Sequence, residues 1–260
     1  IQNLARVGKA RAQLNLAVST ADFTAAATTA AQVPAAGFVY LLSASITAVT
    51  NGVRLENGFN QANVVRRGIS VSNLEGGSGV SFRPTPADPR VPTTQDPLNG
   101  FDGQPLFRLN NYAITGTALG RTTPFPLASS VEARLIQAEA QLRAGNFAAP
   151  GTGTLAILNS LRASFSPPLL PLADPVTQTA REDLLFRERA FWLYATGHRL
   201  GDMRRLVRPL GQGGYARPVA SVFPSGAYPQ GGTYGTDVNL PIPFDEQNNP
   251  NFEQCLNRDP

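Results

Sequence analysis

The sequence predicts a mainly α-helical protein in which helix hairpins carry long irregular loops and a few short strands. Three observations predict it. Apolar residues recur at helical spacing over residues 1–33 and again over 130–206. Between and after these blocks, glycine and proline are dense, at 24 and 22 in a chain of 260 residues. A pattern of small residues in the first block returns in the second. With 42% hydrophobic and 15% charged residues the chain can bury a core. The expected organisation is one domain over 1–260. It comprises a first hairpin (1–33), a loop-rich segment (34–129), a second hairpin with a central helix (130–206) and a loop-rich end (207–260).

In the first block Leu4, Val7, Arg11, Leu14 and Val18 share one helical face. The turn is Ser19-Thr20-Ala21-Asp22, with Asp22 placed to cap an alanine-rich helix over 23–33 that stops at Pro34. Ile1 already reads as mid-helix, so further sequence is expected upstream. In the next segment, 39–49 fits a strand or a short helix. The run 57–65 is rich in Asn and Gln, and 69–82 alternates before turning on glycines, which predicts a short strand and loop. Five prolines over 84–97 exclude a regular helix or a central strand. A short apolar segment occupies 107–115.

The second block repeats the grammar of the first. Ala133-Arg134, Ala138 and Ala140-Gln141-Leu142 echo Ala5-Arg6, Ala10 and Ala12-Gln13-Leu14, and Asn146-Phe147 echoes Asp22-Phe23. A second helix follows over 154–164. Small residues at matched helix positions, with Phe at the turn, resemble tetratricopeptide repeats, whose hairpins stack. After a proline-rich connector at 166–180, residues 181–205 carry the clearest helical stripe: Leu184, Leu185, Glu188, Phe191, Trp192 and Ala195. Glu188 is an acid within that apolar face, which requires an arginine partner. Arg187, Arg189 and Arg199 are near in sequence, and Arg134 and Arg162 lie on other helices. Trp192 is expected to pack on the 130–164 hairpin as a structural residue. Gly197 ends or bends the helix, and a second helical run covers 198–206.

Composition and motifs narrow the function. The net charge of +4 comes almost wholly from scattered arginines, Lys9 being the sole lysine, and no nucleic-acid motif accompanies RRG at 66–68 or MRRLVR at 203–208. The single Cys255 excludes an internal disulfide and a cysteine zinc site. No run of about 18 apolar residues occurs. GGSG at 76–79 and GTG at 151–153 lack the context of a phosphate loop, and neither GxSxG nor HExxH is present. A catalytic reading of Glu188, His198 and Asp202 has no nucleophile, metal cluster or phosphate loop to support it. Asp245, Glu246, Asn248, Asn249 and Asn251 form an oxygen-rich group that fits a calcium site or a hydrogen-bonded terminal turn, without EF-hand spacing.

Four stretches together resemble the C-terminal half of the SusD/RagB family. They are EARLIQAEAQLRAGN (132–146), LNSLR (158–162), REDLLFRERAFWLYATGHRLGDMRR (181–205) and YGTDVNLPIPFDEQNNPN (234–251). EGG at 75–77 and DPRV at 88–91 are similar to the family's middle segment. The resemblance implies a mainly helical, tetratricopeptide-like fold and a non-enzymatic role without cofactor. It implies a lipoprotein at the extracellular face of the outer membrane, anchored through an upstream part. There such a protein acts as the lid of a SusC-like TonB-dependent transporter and captures glycans or other nutrients. Ligand contacts are then expected from loops that offer flat rings beside planar polar groups: Tyr112 with Asn110 and Asn111, and Tyr215, Tyr228 and Tyr234 with Arg217 and Asp237. The alternative is a helical-repeat structural or assembly protein that binds protein partners or itself.

Overall fold

The computed structural model describes residues 1–47, 49–50, 53–75, 79–111, 119–228, 231–240 and 242–252. Tyr112, Cys255 and most of the GGSG run lie outside them. The chain opens with α1 (Gln2–Leu16) and α2 (Thr20–Ala30), whose facing sides bury Val7, Ala10 and Leu14 against Phe23, Ala26 and Ala30. The cap of α2 is Ser19, not Asp22. The Ser19 hydroxyl accepts from Asp22 N at 3.3 Å, and the Asp22 carboxylate accepts from Ser19 N at 2.9 Å. This reciprocal capping box starts the helix earlier than its alanine-rich run suggests.

Three small antiparallel ladders occupy the middle segment. β1 (Val39–Leu42) pairs with β6 (Phe125–Ser129), β2 (Val49–Thr50) with β3 (Val53–Arg54), and β4 (Thr93–Gln95) with β5 (Phe107–Leu109). The Asn-rich run forms a short helix α3 (Gly58–Asn60) continued by a π turn (Gln61–Val65). Its buried Asn63 amide donates to Ile69 O at 2.8 Å and Phe107 O at 3.2 Å, and accepts from Leu109 N at 3.0 Å. One side chain therefore satisfies backbone that a ladder would otherwise serve. The strand expected within 69–82 does not form among its described residues. Val71 N donates to Phe107 O, and Ser70 takes the Phe107 N–H on its hydroxyl at 2.8 Å. A further short helix, α4 (Leu119–Thr122), precedes β6.

The second helical block contains α5 (Ser130–Arg143), α6 (Thr154–Ser164), α7 (Gln178–Trp192) and α8 (Arg199–Val207). α5 packs against α2 on one side and against α6 and α7 on the other. Ala133, Ile136 and Ala140 join the α1–α2 core, while Leu135 and Leu142 join a second core with Leu158, Leu185 and Phe186. Small residues at the α2–α5 contact let the helices approach closely. α7 stops at Trp192, and Ala195 follows in left-handed backbone at φ 59°, so the stripe loses its last expected member. Beyond α8 come a 3₁₀ turn (Leu210–Gln212), α9 (Val219–Val222) and α10 (Phe244–Gln247). Gly213 closes that turn at φ 77°, where a Cβ would stand 2.0 Å from Ala17 O. The end of α1 and the turn after α8 are thus pressed together at a position only glycine fits. Among the described residues no helix is long and apolar enough to cross a membrane.

Candidate functional site

The ionisable residues of α7 face two directions, and each direction has its own chemistry. Inward, Glu188 is buried, 1% exposed. It accepts from Arg90 at 2.7 and 3.1 Å, from Arg162 at 2.8 Å and from Trp192 Nε1 at 3.2 Å. Arg162 stands on α6, whereas Arg90 comes from the loop before β4 and is held by Asp88 at 2.9 Å. Trp192 is half-buried with its ring edge-on to Phe165, centroids 5.8 Å apart. The adjacent Arg189 makes a bidentate pair with Asp202 at 2.8 and 2.9 Å. Arg205 makes another with Glu139 at 2.9 Å through both nitrogens, and reaches Asp202 at 2.7 Å and Asn15 at 2.7 Å.

A third group joins the two hairpins. Glu132 accepts from Arg11 at 2.6 and 2.7 Å, and His198 Nε2 lies 2.9 Å from its Oε1. His198 Nδ1 lies 2.8 Å from Thr196 Oγ1. His198 and Asp202 line one small polar cavity with Glu132, Arg189 and Arg205, whereas Glu188 does not line it and is held by Arg90 and Arg162.

Burial alone would push the Asp202, Glu132 and Asp88 carboxyls up. Arg189 and Arg205 around Asp202, Arg11 and His198 around Glu132, and Arg90 around Asp88 reverse this and hold all three below their ordinary values. A carboxylate with a depressed value in the folded state adds stability that is fully present above its unfolded value and is lost as pH falls through the folded one. Those ordinary values are 3.8 for the aspartates and 4.5 for Glu132. The melting temperature should therefore hold nearly level from about pH 7 to 5 and fall steadily below about pH 4.5. A midpoint level down to about pH 3 would contradict this assignment.

Outward, α7, α8 and α9 frame a groove of about 370 Å³. Asp183, Phe186 and Arg187 on α7, Leu206 on α8 and Val222 on α9 line it, together with Arg199 and Arg217. Arg199 grips Glu75 through Nε at 2.9 Å and Nη2 at 2.6 Å. Arg217 Nη2 donates to Thr179 O at 2.8 Å, Glu182 at 2.9 Å and Asp183 at 3.0 Å. Arg199 Nη1 and Arg217 Nε are buried with no hydrogen-bond partner. Arg187 is exposed, lies over Phe191 at 5.6 Å, and has no carboxylate partner among the described residues. An apolar floor beside an exposed planar donor, Arg187, can orient a polar ligand. Ser221 is the groove's hydroxyl and donates to Pro218 O at 2.7 Å.

The residues expected at the site have separate fates. Arg217 is at the groove. Tyr215 is 5% exposed and stands edge-on to Phe186, centroids 5.0 Å apart, so it backs the groove from within the core. Its hydroxyl donates to Glu139 at 3.4 Å, and burial pushes its proton affinity well above the ordinary value. The Arg143 guanidinium covers its ring at 4.8 Å. Tyr228 and Tyr234 meet edge to face at 5.2 Å on a turn closed by the Ala227–Thr233 bridge. Asn111 and Asp237 are exposed, and Tyr112 lies outside the described residues. The described loop tyrosines do not converge on one surface. At the oxygen-rich end, Asn249 donates to Glu246 at 3.4 Å, and Asn251 N donates to Asn249 at 2.9 Å. Among the described residues no three His, Cys, Asp or Glu side chains gather as a metal site. Sequence spacing offered one signal for the groove, the neighbouring Phe186 and Arg187 on α7; the role of Arg199 depends on Glu75, 124 residues away. No family model, curated protein or solved structure matches the chain.

Proposed function

We propose that the chain is a non-catalytic binding protein that captures a glycan or similar polar nutrient. In this reading it works at the extracellular face of the outer membrane as a lipid-anchored lid on a SusC-like TonB-dependent transporter. The observation that carries the binding reading is the α7–α9 groove, an apolar floor of Phe186, Leu206 and Val222 lined also by the exposed Arg187 and Asp183. The engagement of Glu188 and Asp202 in buried arginine pairs supports a role without catalysis. Membrane placement and the transporter rest on the SusD/RagB resemblance, whose strings over 132–146 and 158–162 fall on α5 and α6. Tetratricopeptide-like stacking is proposed from the same elements: α1, α2, α5 and α6 follow one another in space, with alanines where α2 meets α5.

Calorimetric titration against a panel of soluble polysaccharides tests the groove. Arg187→Ala should weaken binding of the preferred glycan about tenfold, the loss of one charged hydrogen bond. It should leave the melting temperature unchanged, because Arg187 holds no ion pair among the described residues. Equal binding by Arg187→Ala would exclude the groove. The assembly reading draws on one observation: Val39, Leu41 and Leu42 of β1 and Leu127 of β6 are exposed together on a two-stranded sheet. Binding to no polysaccharide, with ordered self-association in light scattering, would favour that reading.

A further inference from the structure

A second groove, of about 350 Å³, runs between α2 and α5. It shares no residue with the α7–α9 groove. Arg134, Gln137 and Gln141 fall at i, i+3 and i+7 on one face of α5 and line one wall. Thr24 and Thr28 of α2, with Thr152 before α6, supply hydroxyls around them. Among the described residues no acid lines the groove.

The hydrogen bonds already made decide what the groove has left to offer. Arg134 Nη1 donates to Gln137 Oε1 at 2.8 Å, and Asn146 Nδ2 donates to Gln141 Oε1 at 3.1 Å. Each glutamine carbonyl already accepts one hydrogen bond, and neither NH₂ group donates one among the described residues. Arg134 has four further N–H donors and no carboxylate partner among the described residues. The Thr24 hydroxyl donates to Thr20 O and the Thr28 hydroxyl to Thr24 O, both at 2.9 Å, leaving their oxygens as acceptors. Arg134 is half-buried, and burial alone holds its guanidinium below the ordinary range. A desolvated cation among donors gains most from an anion that accepts from all of them.

We propose that the α2–α5 groove binds the carboxylate of an acidic sugar, with Arg134, Gln137 and Gln141 donating to the carboxylate and the threonine oxygens accepting from ring hydroxyls. The inference stands apart from the α7–α9 groove. Galacturonate and its neutral counterpart galactose are the probes, titrated into the full chain by calorimetry. The NH₂ signals of Gln137 and Gln141 are followed in ¹⁵N spectra. Galacturonate should bind at least about tenfold more tightly than galactose and shift both signals. Arg134→Gln should abolish that preference at an unchanged melting temperature, since no ion pair is lost. Gln137→Glu, which gives Arg134 an internal carboxylate, should abolish it too. Arg187→Ala, in the other groove, should leave it intact. Equal affinity for the two sugars, or undiminished galacturonate binding by Arg134→Gln, would overturn the assignment. So would the absence of any galacturonate binding at about 10 mM.

Discussion

Glu139→Ala is expected to destabilise the protein by about 3–5 kcal/mol, the usual consequence of removing one partner from a buried ion pair. That corresponds to a melting temperature lower by roughly 6–20 °C. Glu139 is fully buried on α5 and receives both forks of Arg205, itself 1% exposed, and Arg189 stands 3.6 Å away. Without it, two buried guanidiniums share Asp202 alone, and the Tyr215 hydroxyl loses its acceptor. Replacing the pair together, as Glu139→Leu with Arg205→Met, should cost less than either single change, because no charge is left unmatched. Thermal melts of the three variants check this. A double variant as unstable as the sum of the singles would show that the charge pairing is not what holds these helices.

Glu188→Ala is expected to cost a similar amount, about 3–5 kcal/mol, by a different route. Arg90 and Arg162 lose their shared acceptor, and the Trp192 indole N–H loses its own. Arg90 ties the proline-rich loop to α7, so this variant should also loosen the packing around the one tryptophan. Its native emission should shift to the red, while that of Glu139→Ala stays in place. An unchanged spectrum with a normal melt would sink the claim that Glu188 anchors this loop. A sugar that quenched Trp192 without unfolding would move that ring from packing to binding.

What the residues revealed in advance was whatever depends on near neighbours. The spacing of Leu4, Val7, Arg11, Leu14 and Val18, and the echo of Ala5-Arg6 in Ala133-Arg134, mark the two helical blocks. Glu188 stands out because an acid in an apolar stripe needs a partner, and Arg162 is among the arginines the pattern offers. Arg90 is not, since it lies 98 residues away in a loop whose path no local pattern encodes. The role of Asn63 is hidden for the same reason: it satisfies three backbone groups from distant segments. The capping role of Ser19 is hidden behind Asp22, although the two form one reciprocal motif. Tyr215 reads as a loop aromatic because the glycines around it are legible and the core beneath it is not. The donor array of α5 shows its residues by spacing, but its chemistry appears only when the occupied carbonyls are known.

The polar ties between the hairpins also set an order of events in time. Arg11 meets Glu132 across 121 residues, and Asn15 meets Arg205 across 190. A chain emerging from the ribosome presents those α1 side chains long before their partners exist. Local contacts can close α1 on α2 early, because they span little sequence. The Arg11 and Asn15 side chains stay in water until α5 and α8 arrive. Closure of these long-range ties is therefore late: Arg11 waits for Glu132, and the Asn15 tie forms only after synthesis has passed Arg205.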